Sequence, residues 1–167
     1  MTSGQAMRIR SDAFVLTLAC VQLAACAMPH RKPVENPPDL CIDVRGIGNF
    51  RSGHPVEGES LESALASDEE IPVLLDAVGI LKNFPHIILE VTGHTDDSEC
   101  IGLECEALSL RRARIVYDWL LAHGAPEEGL IGPLGRGPDY PIDYNSIEEG
   151  RSRNRRAEVN IFGFKDN

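Results

Sequence analysis

Aromatic residues are scarce: one Trp, three Tyr and five Phe stand in 167 residues. Aliphatic side chains must therefore fill the core, and the 43% apolar content is enough for one core of ordinary size. A positive balance is also missing. Twenty-six acidic residues outnumber sixteen basic ones, giving a formal charge of -10, which argues against nucleic acid or anionic membranes as general partners. The longest apolar run, Ala13 to Leu23, has about 11 residues where a membrane-crossing helix needs about 20. The glycine-rich segment Gly132 to Gly137 lacks the Lys-Ser/Thr ending of a phosphate-binding loop. No serine sits in a nucleophile elbow, and no Cys/His/Asp set suggests covalent catalysis. His94, Asp96, Cys100 and Cys105 do not follow a metal-site spacing. No catalytic residue, metal or cofactor is expected, and the protein is not read as an enzyme.

What is present begins at the N-terminus. Arg8 and Arg10 precede the apolar run, whose length suits the core of an export signal. Met7 offers a second start, opening a more ordinary signal than Met1. Leu23-Ala24-Ala25-Cys26 follows at the right place and is similar to the lipobox of bacterial lipoproteins. That similarity implies cleavage after residue 25, an acylated (palmitate-bearing) Cys26 and, because Ala27 follows the cysteine, the outer membrane. Several acyl chains on one cysteine anchor stably, where a single chain anchors only marginally. Residues 26–39 then form a tether with Pro29, Pro33, Pro37 and Pro38. Extended at about 3.1–3.3 Å per residue, it reaches roughly 40 Å. Of five cysteines, Cys20 leaves with the signal, Cys26 takes lipid, and Cys100 with Cys105 are placed to pair, leaving Cys41 odd. The alternative for that pair is two reduced thiols.

Residues 40–167 read as one domain. Leu40 to Phe50 alternates loosely and predicts a first strand; Arg51 to Ser67 reads as a loop. Ser67 to Glu70 suggests a capping box, with Pro72 in the first turn of a helix carrying Ile71, Leu74, Leu75, Val78 and Leu81 at helical spacing. Asn83-Phe84-Pro85 ends it. Ile87 to Thr92 predicts a strand. Ser109 to His123 predicts a second helix, stopped by Gly124. Leu130 to Leu134 and Ala157 to Phe162 predict two more strands. The expected class is α+β in the order β-α-β-α-β-β, two main helices on one face of a mixed four-stranded sheet.

Asp96 falls just past the second strand, and Arg112 falls in the first turn of the second helix if Ser109 is its N-cap. A helix N-terminus offers free N–H groups, and a guanidinium meets a carboxylate with two parallel hydrogen bonds. Asp96 beside it would take an ammonium. Such a pair suits a carbon bearing both amine and carboxylate; the alternative is an Asp96–Arg112 salt bridge with no ligand.

Three spaced clusters, Gly93-His-Thr-Asp96, Leu108-Ser-Leu-Arg-Arg-Ala113 and Gly150-Arg-Ser-Arg-Asn-Arg-Arg156, resemble the OmpA-like C-terminal domain of OmpA, Pal and MotB proteins. The resemblance covers roughly residues 40–162. It implies non-catalytic binding of peptidoglycan, with Asp96 and Arg112 holding the free end of the diaminopimelate of the stem peptide. Arg151 is a further contact candidate, and Thr95, Asn49 and Asn145 are secondary ones. Two departures stand out: Glu99 where the family usually has Gly, and Cys105 where it usually has Asn. The expectation is an outer-membrane lipoprotein with its domain in the periplasm. Its partners are peptidoglycan, the membrane and envelope proteins. A structural subunit of an envelope or secretion machine is the alternative. Cys26→Ser should abolish fatty-acid labelling and free the protein from the membrane fraction; label retained on the variant would show the lipobox misread.

Overall fold

The computed structural model describes residues 49–165. The export signal, Cys26, the tether, Cys41 and the predicted first strand as far as residue 48 lie outside the described residues. Within them the order is α1 (Leu61–Ala64), α2 (Ile71–Asn83), β1 (Ile87–Gly93), α3 (Leu103–Ala122), β2 (Leu130–Gly135), α4 (Glu148–Asn154) and β3 (Ala157–Phe164). The class is α+β. The sheet has three strands among the described residues, ordered β2-β1-β3, where four were expected. From the predicted first strand, Phe50 makes only an isolated antiparallel bridge to Leu65.

Strand β1 is central because its residues are apolar and β-branched on the face that packs. Ile87, Leu89 and Val91 are buried. They join Leu74, Ala77, Val78 and Leu81 of α2 and Ala113, Val116, Trp119 and Leu120 of α3 in one apolar cluster. β1 runs parallel to β2 and antiparallel to β3, with Leu89 opposite Leu130 and Ile161. The parallel step from β1 to β2 needs a crossover, and α3 supplies it.

Three local expectations fail for physical reasons. Residues 51–67 are not all loop. Ser60 accepts a hydrogen bond from Ser63 N and caps the turn α1, which buries Leu61 and Ala64. The capping box at Ser67 does not form: Asp68–Glu70 make a 3₁₀ turn leading into α2, and the Ser67 side chain makes no cap bond. Most consequential, α3 begins at Leu103 after Gly102, not at Ser109. Ser109 instead donates its hydroxyl back to Glu106 O and accepts from Gly137 N at 3.0 Å. It ties the helix to the loop after β2. The C-terminal stop holds, since Gly124 adopts φ 88° and donates to Leu121 O.

The ends of β1 and β2 pass close beneath α3 at Ser109. A Cβ on Gly93 would lie 1.9 Å from Ser109 O, and one on Gly135 would lie 2.7 Å from Ser109 Oγ. This approach fixes the distance between the end of β1 and the middle of α3. Gly93→Ala should therefore destabilise the domain by about 3 kcal/mol or more through forced backbone shifts. Gly79→Ala, in α2 with nothing within 4 Å of its added Cβ, should stabilise it by about 0.5–1 kcal/mol. Denaturant midpoints of the two variants check both signs; a neutral Gly93→Ala would show that the approach is not tight.

Candidate functional site

Beyond Gly93 the chain turns through His94, Thr95 and Asp96. His94 N donates to Arg156 O at 2.8 Å and Thr95 N donates to Gly137 O at 3.0 Å, so the turn is held from two sides. Asp96 is fully buried. Its Oδ1 accepts from Ser98 N, Ser98 Oγ and Glu99 N at 2.7, 3.0 and 2.8 Å, and its Oδ2 accepts from Arg155 Nη1 at 2.8 Å. Burial alone would push this carboxyl up. The Arg155 guanidinium and the bonds from Ser98 and Glu99 outweigh it, and the group lies below the usual carboxylate range.

Arg112 stands in the third turn of α3, so the helix N-terminus expected to reinforce it lies too far away. It makes no ion pair with Asp96, which corrects the alternative of a direct bridge between them. Its partner is Glu99: Nη1 donates to Oε1 at 2.6 Å and Nη2 to Oε2 at 2.8 Å, in the two-pronged geometry a guanidinium offers to any carboxylate. Both side chains are fully buried. Nε donates to His54 O, Nη1 also to His94 O, and Nη2 also, at 3.4 Å, to Arg51 O. The guanidinium sits 5.2 Å from the Phe50 ring centre. Glu99 Oε1 further accepts from Asp96 N and Oε2 from Gly53 N. The next residue, Cys100, is joined by a disulfide to Cys105 in the first turn of α3, with a Cα–Cα separation of 5.1 Å. That bond removes both sulfurs as metal ligands.

The remaining sequence candidates fall elsewhere in the network. Arg151 bonds Glu148 and donates to Asn145 O. Asn145 Oδ1 accepts from Asn154 Nδ2, and Asn154 Oδ1 accepts from Ile142 N and Asp143 N; together they fasten the loop before α4. Asn49, at φ 70°, accepts from Ala66 N through its carbonyl. The Thr95 hydroxyl is buried without a hydrogen-bond partner. Arg153 is an exposed partner of Asp143 and Glu149, whereas Arg156 is buried on Glu158 and Tyr140 O. Residue-level reasoning missed Arg155 as the partner of Asp96 and Glu99 as the partner of Arg112. Glu99 had a signal in the sequence: it is a charge where the resembled family carries glycine.

Residues 62–155 match the OmpA family. The chain belongs to that family. Peptidoglycan-binding protein ArfA of Mycobacterium tuberculosis is 33% identical over 132 residues, which span 78% of this chain but only 38% of that protein. The probable lipoprotein YiaD of Escherichia coli is 35% identical over 82 residues, 49% of this chain and 36% of YiaD. The chain thus spans well under half the length of these OmpA-family relatives. The crystal structure of the peptidoglycan-associated lipoprotein from Burkholderia pseudomallei superposes with a TM-score of 0.54 at 22% identity, over 70% of this chain and 89% of that one, and establishes the shared fold. The names of these relatives describe a peptidoglycan-binding protein and a probable lipoprotein, not enzymes.

One titration follows from the site's walls. His94 is buried between Thr92, Tyr140 and the Arg156–Glu158 pair, with no partner for Nδ1. Burial, then the positive charge of Arg156, lowers its pKa to about 4. The folded protein keeps the imidazole neutral while the unfolded chain protonates it near its usual value of about 6.5. This contribution to stability is complete above pH about 6.5 and is lost as pH falls toward 4. The His94 ring signals should stay unshifted down to pH 5 by NMR, and His94→Gln should flatten the fall of the unfolding midpoint between pH 7 and 4.5. A normal titration near 6.5 would contradict the burial.

Proposed function

We propose that this protein binds peptidoglycan non-covalently and tethers the outer membrane to the wall through an acylated Cys26, with its OmpA-like domain in the periplasm. The 33% identity to a peptidoglycan-binding protein over 78% of the chain carries the wall reading. The lipobox supports the anchor, and the names of relatives such as YiaD agree with it. The ligand on this reading is the diaminopimelate of the stem peptide, taken at the turn His94–Asp96 beside Arg112, with Arg151 at its edge. What supports that chemistry is the carboxylate seat on Arg112: Glu99 already sits there with bonds of 2.6 and 2.8 Å on both prongs.

A protein-contact subunit of an envelope machine is the second reading, favoured by the fact that the buried charges Asp96, Glu99, Arg112 and Arg155 are all paired within the chain. Sedimentation with purified sacculi separates the two. The full chain should pellet with sacculi. Asp96→Asn, which keeps shape but removes the charge, should weaken binding by roughly 10-fold or more, since a charge-assisted contact is worth about 1.5–3 kcal/mol. Circular dichroism must show the variant folded, because breaking a buried ion pair costs about 3–5 kcal/mol of stability. Failure of the folded wild type to pellet would leave the scaffold reading.

A further inference from the structure

We infer that Arg111 and Glu104 form a binding site for a zwitterionic amino-acid end, a carbon bearing both a free ammonium and a free carboxylate. The inference rests on the wall-binding reading above and assigns the side chains that meet the free diaminopimelate end of the stem peptide.

Arg112 is a poor first contact for a ligand. It is fully buried, and both prongs of its guanidinium already hold Glu99. Its neighbour Arg111 differs on both counts. Arg111 is exposed, and its one hydrogen bond among the described residues runs from Nε to Pro55 O at 3.1 Å. That bond fixes the plane of the guanidinium and leaves both Nη groups without a partner among the described residues. A guanidinium held in this way can meet a carboxylate with two parallel hydrogen bonds.

Arg111 lines a cavity of about 270 Å³ beside the Cys100–Cys105 disulfide, and Glu104 lines the same cavity. Pockets for drug-sized ligands run roughly 300–1,000 Å³, so this one suits the end of a chain and not a whole sugar–peptide unit. Glu104 is exposed, and its carboxylate has no partner among the described residues. Glu104, Ala107, Leu108 and Arg111 follow one another at helical spacing in α3 and so share a face. Over those seven residues the helix rises about 10.5 Å. Helical side chains lean toward the N-terminus, so Arg111 reaches back toward the turn that carries Glu104. Ala107 stands between them and is too short to fill the gap.

A cation and an anion thus border one space without pairing to each other. A zwitterionic end offers its carboxylate to Arg111 and its ammonium to Glu104, and it brings no uncompensated charge. An end with only an ammonium is repelled by Arg111, and one with only a carboxylate is repelled by Glu104. The pair therefore selects by repulsion as well as by attraction.

The test is calorimetric titration of the full chain with two synthetic stem peptides. One carries diaminopimelate with its end free; the other carries lysine, which has the ammonium but lacks the second carboxylate. The wild type should bind the diaminopimelate peptide at least about 5-fold more tightly, less than a buried charge-assisted contact would give because this one is open to solvent. Arg111→Gln should abolish that preference without weakening the lysine peptide. Glu104→Gln should weaken both peptides, since both carry the ammonium. Ala107→Glu sets a carboxylate one turn before Arg111, where it should occupy the guanidinium as Glu99 occupies Arg112 and abolish the preference too. It leaves the bond from Arg111 to Pro55 intact and serves if Arg111→Gln does not fold. A wild type without the preference overturns the inference, as does a preference that survives in folded Arg111→Gln or Ala107→Glu, or an unchanged affinity in Glu104→Gln. A wild type that pellets with sacculi yet binds neither peptide overturns the inference alone. A wild type that binds neither sacculi nor peptide removes the wall-binding reading with it.

Discussion

Four buried charges meet where β1 runs out: Asp96 with Arg155, and Glu99 with Arg112. Burying any one of them alone would cost several kcal/mol, so each fixes the position of its partner. Through them the turn at residues 94–99 is bound to α3 by Arg112 and to the segment before β3 by Arg155. The same two arginines hold Arg51, His54 and Phe50 through their carbonyls, which secures the chain entering the described domain. Three distant stretches are thereby locked at one point, with the apolar cluster beneath them.

The backbone makes this meeting geometrically feasible. Gly93 and Gly135 let α3 lie almost on the ends of β1 and β2, and Ser109 bonds across that contact. A bulkier residue at either glycine would lift the helix and carry Arg112 away from Glu99. The disulfide acts on the other side, joining the loop that carries Glu99 to the first turn of the same helix. Helix, strand ends and loop are thus set relative to one another by close packing, a covalent link and ion pairs. Ion pairs of this kind are poor sources of net stability but strong determinants of one arrangement over others.

For an OmpA-family domain, that arrangement has a functional consequence. A guanidinium seat able to take a carboxylate is present, and a side chain of the same protein fills it. Glu99 and the disulfide that follows it are the two departures from the resembled pattern. In the structure they act as one unit, the second holding the first in place.

Much of the fold was legible from local pattern. Helical spacing of Ile71, Leu74, Val78 and Leu81 and the β-branched run at 87–92 report burial directly, because periodicity needs no knowledge of distant residues. Gly124 marked its helix end for the same reason. The start of α3 was not legible, since Ser109 is an equally good cap or bridge until the loop at Gly137 is seen to lie against it. The motif residues at 95–96, 108–113 and 150–156 marked where chemistry concentrates, and their charges were plain. Which acid meets which base was decided only by tertiary structure. Asp96, Glu99 and Glu148 all compete for Arg112, Arg151 and Arg155, and sequence spacing is silent on which pairs come within hydrogen-bond distance once three separate segments converge.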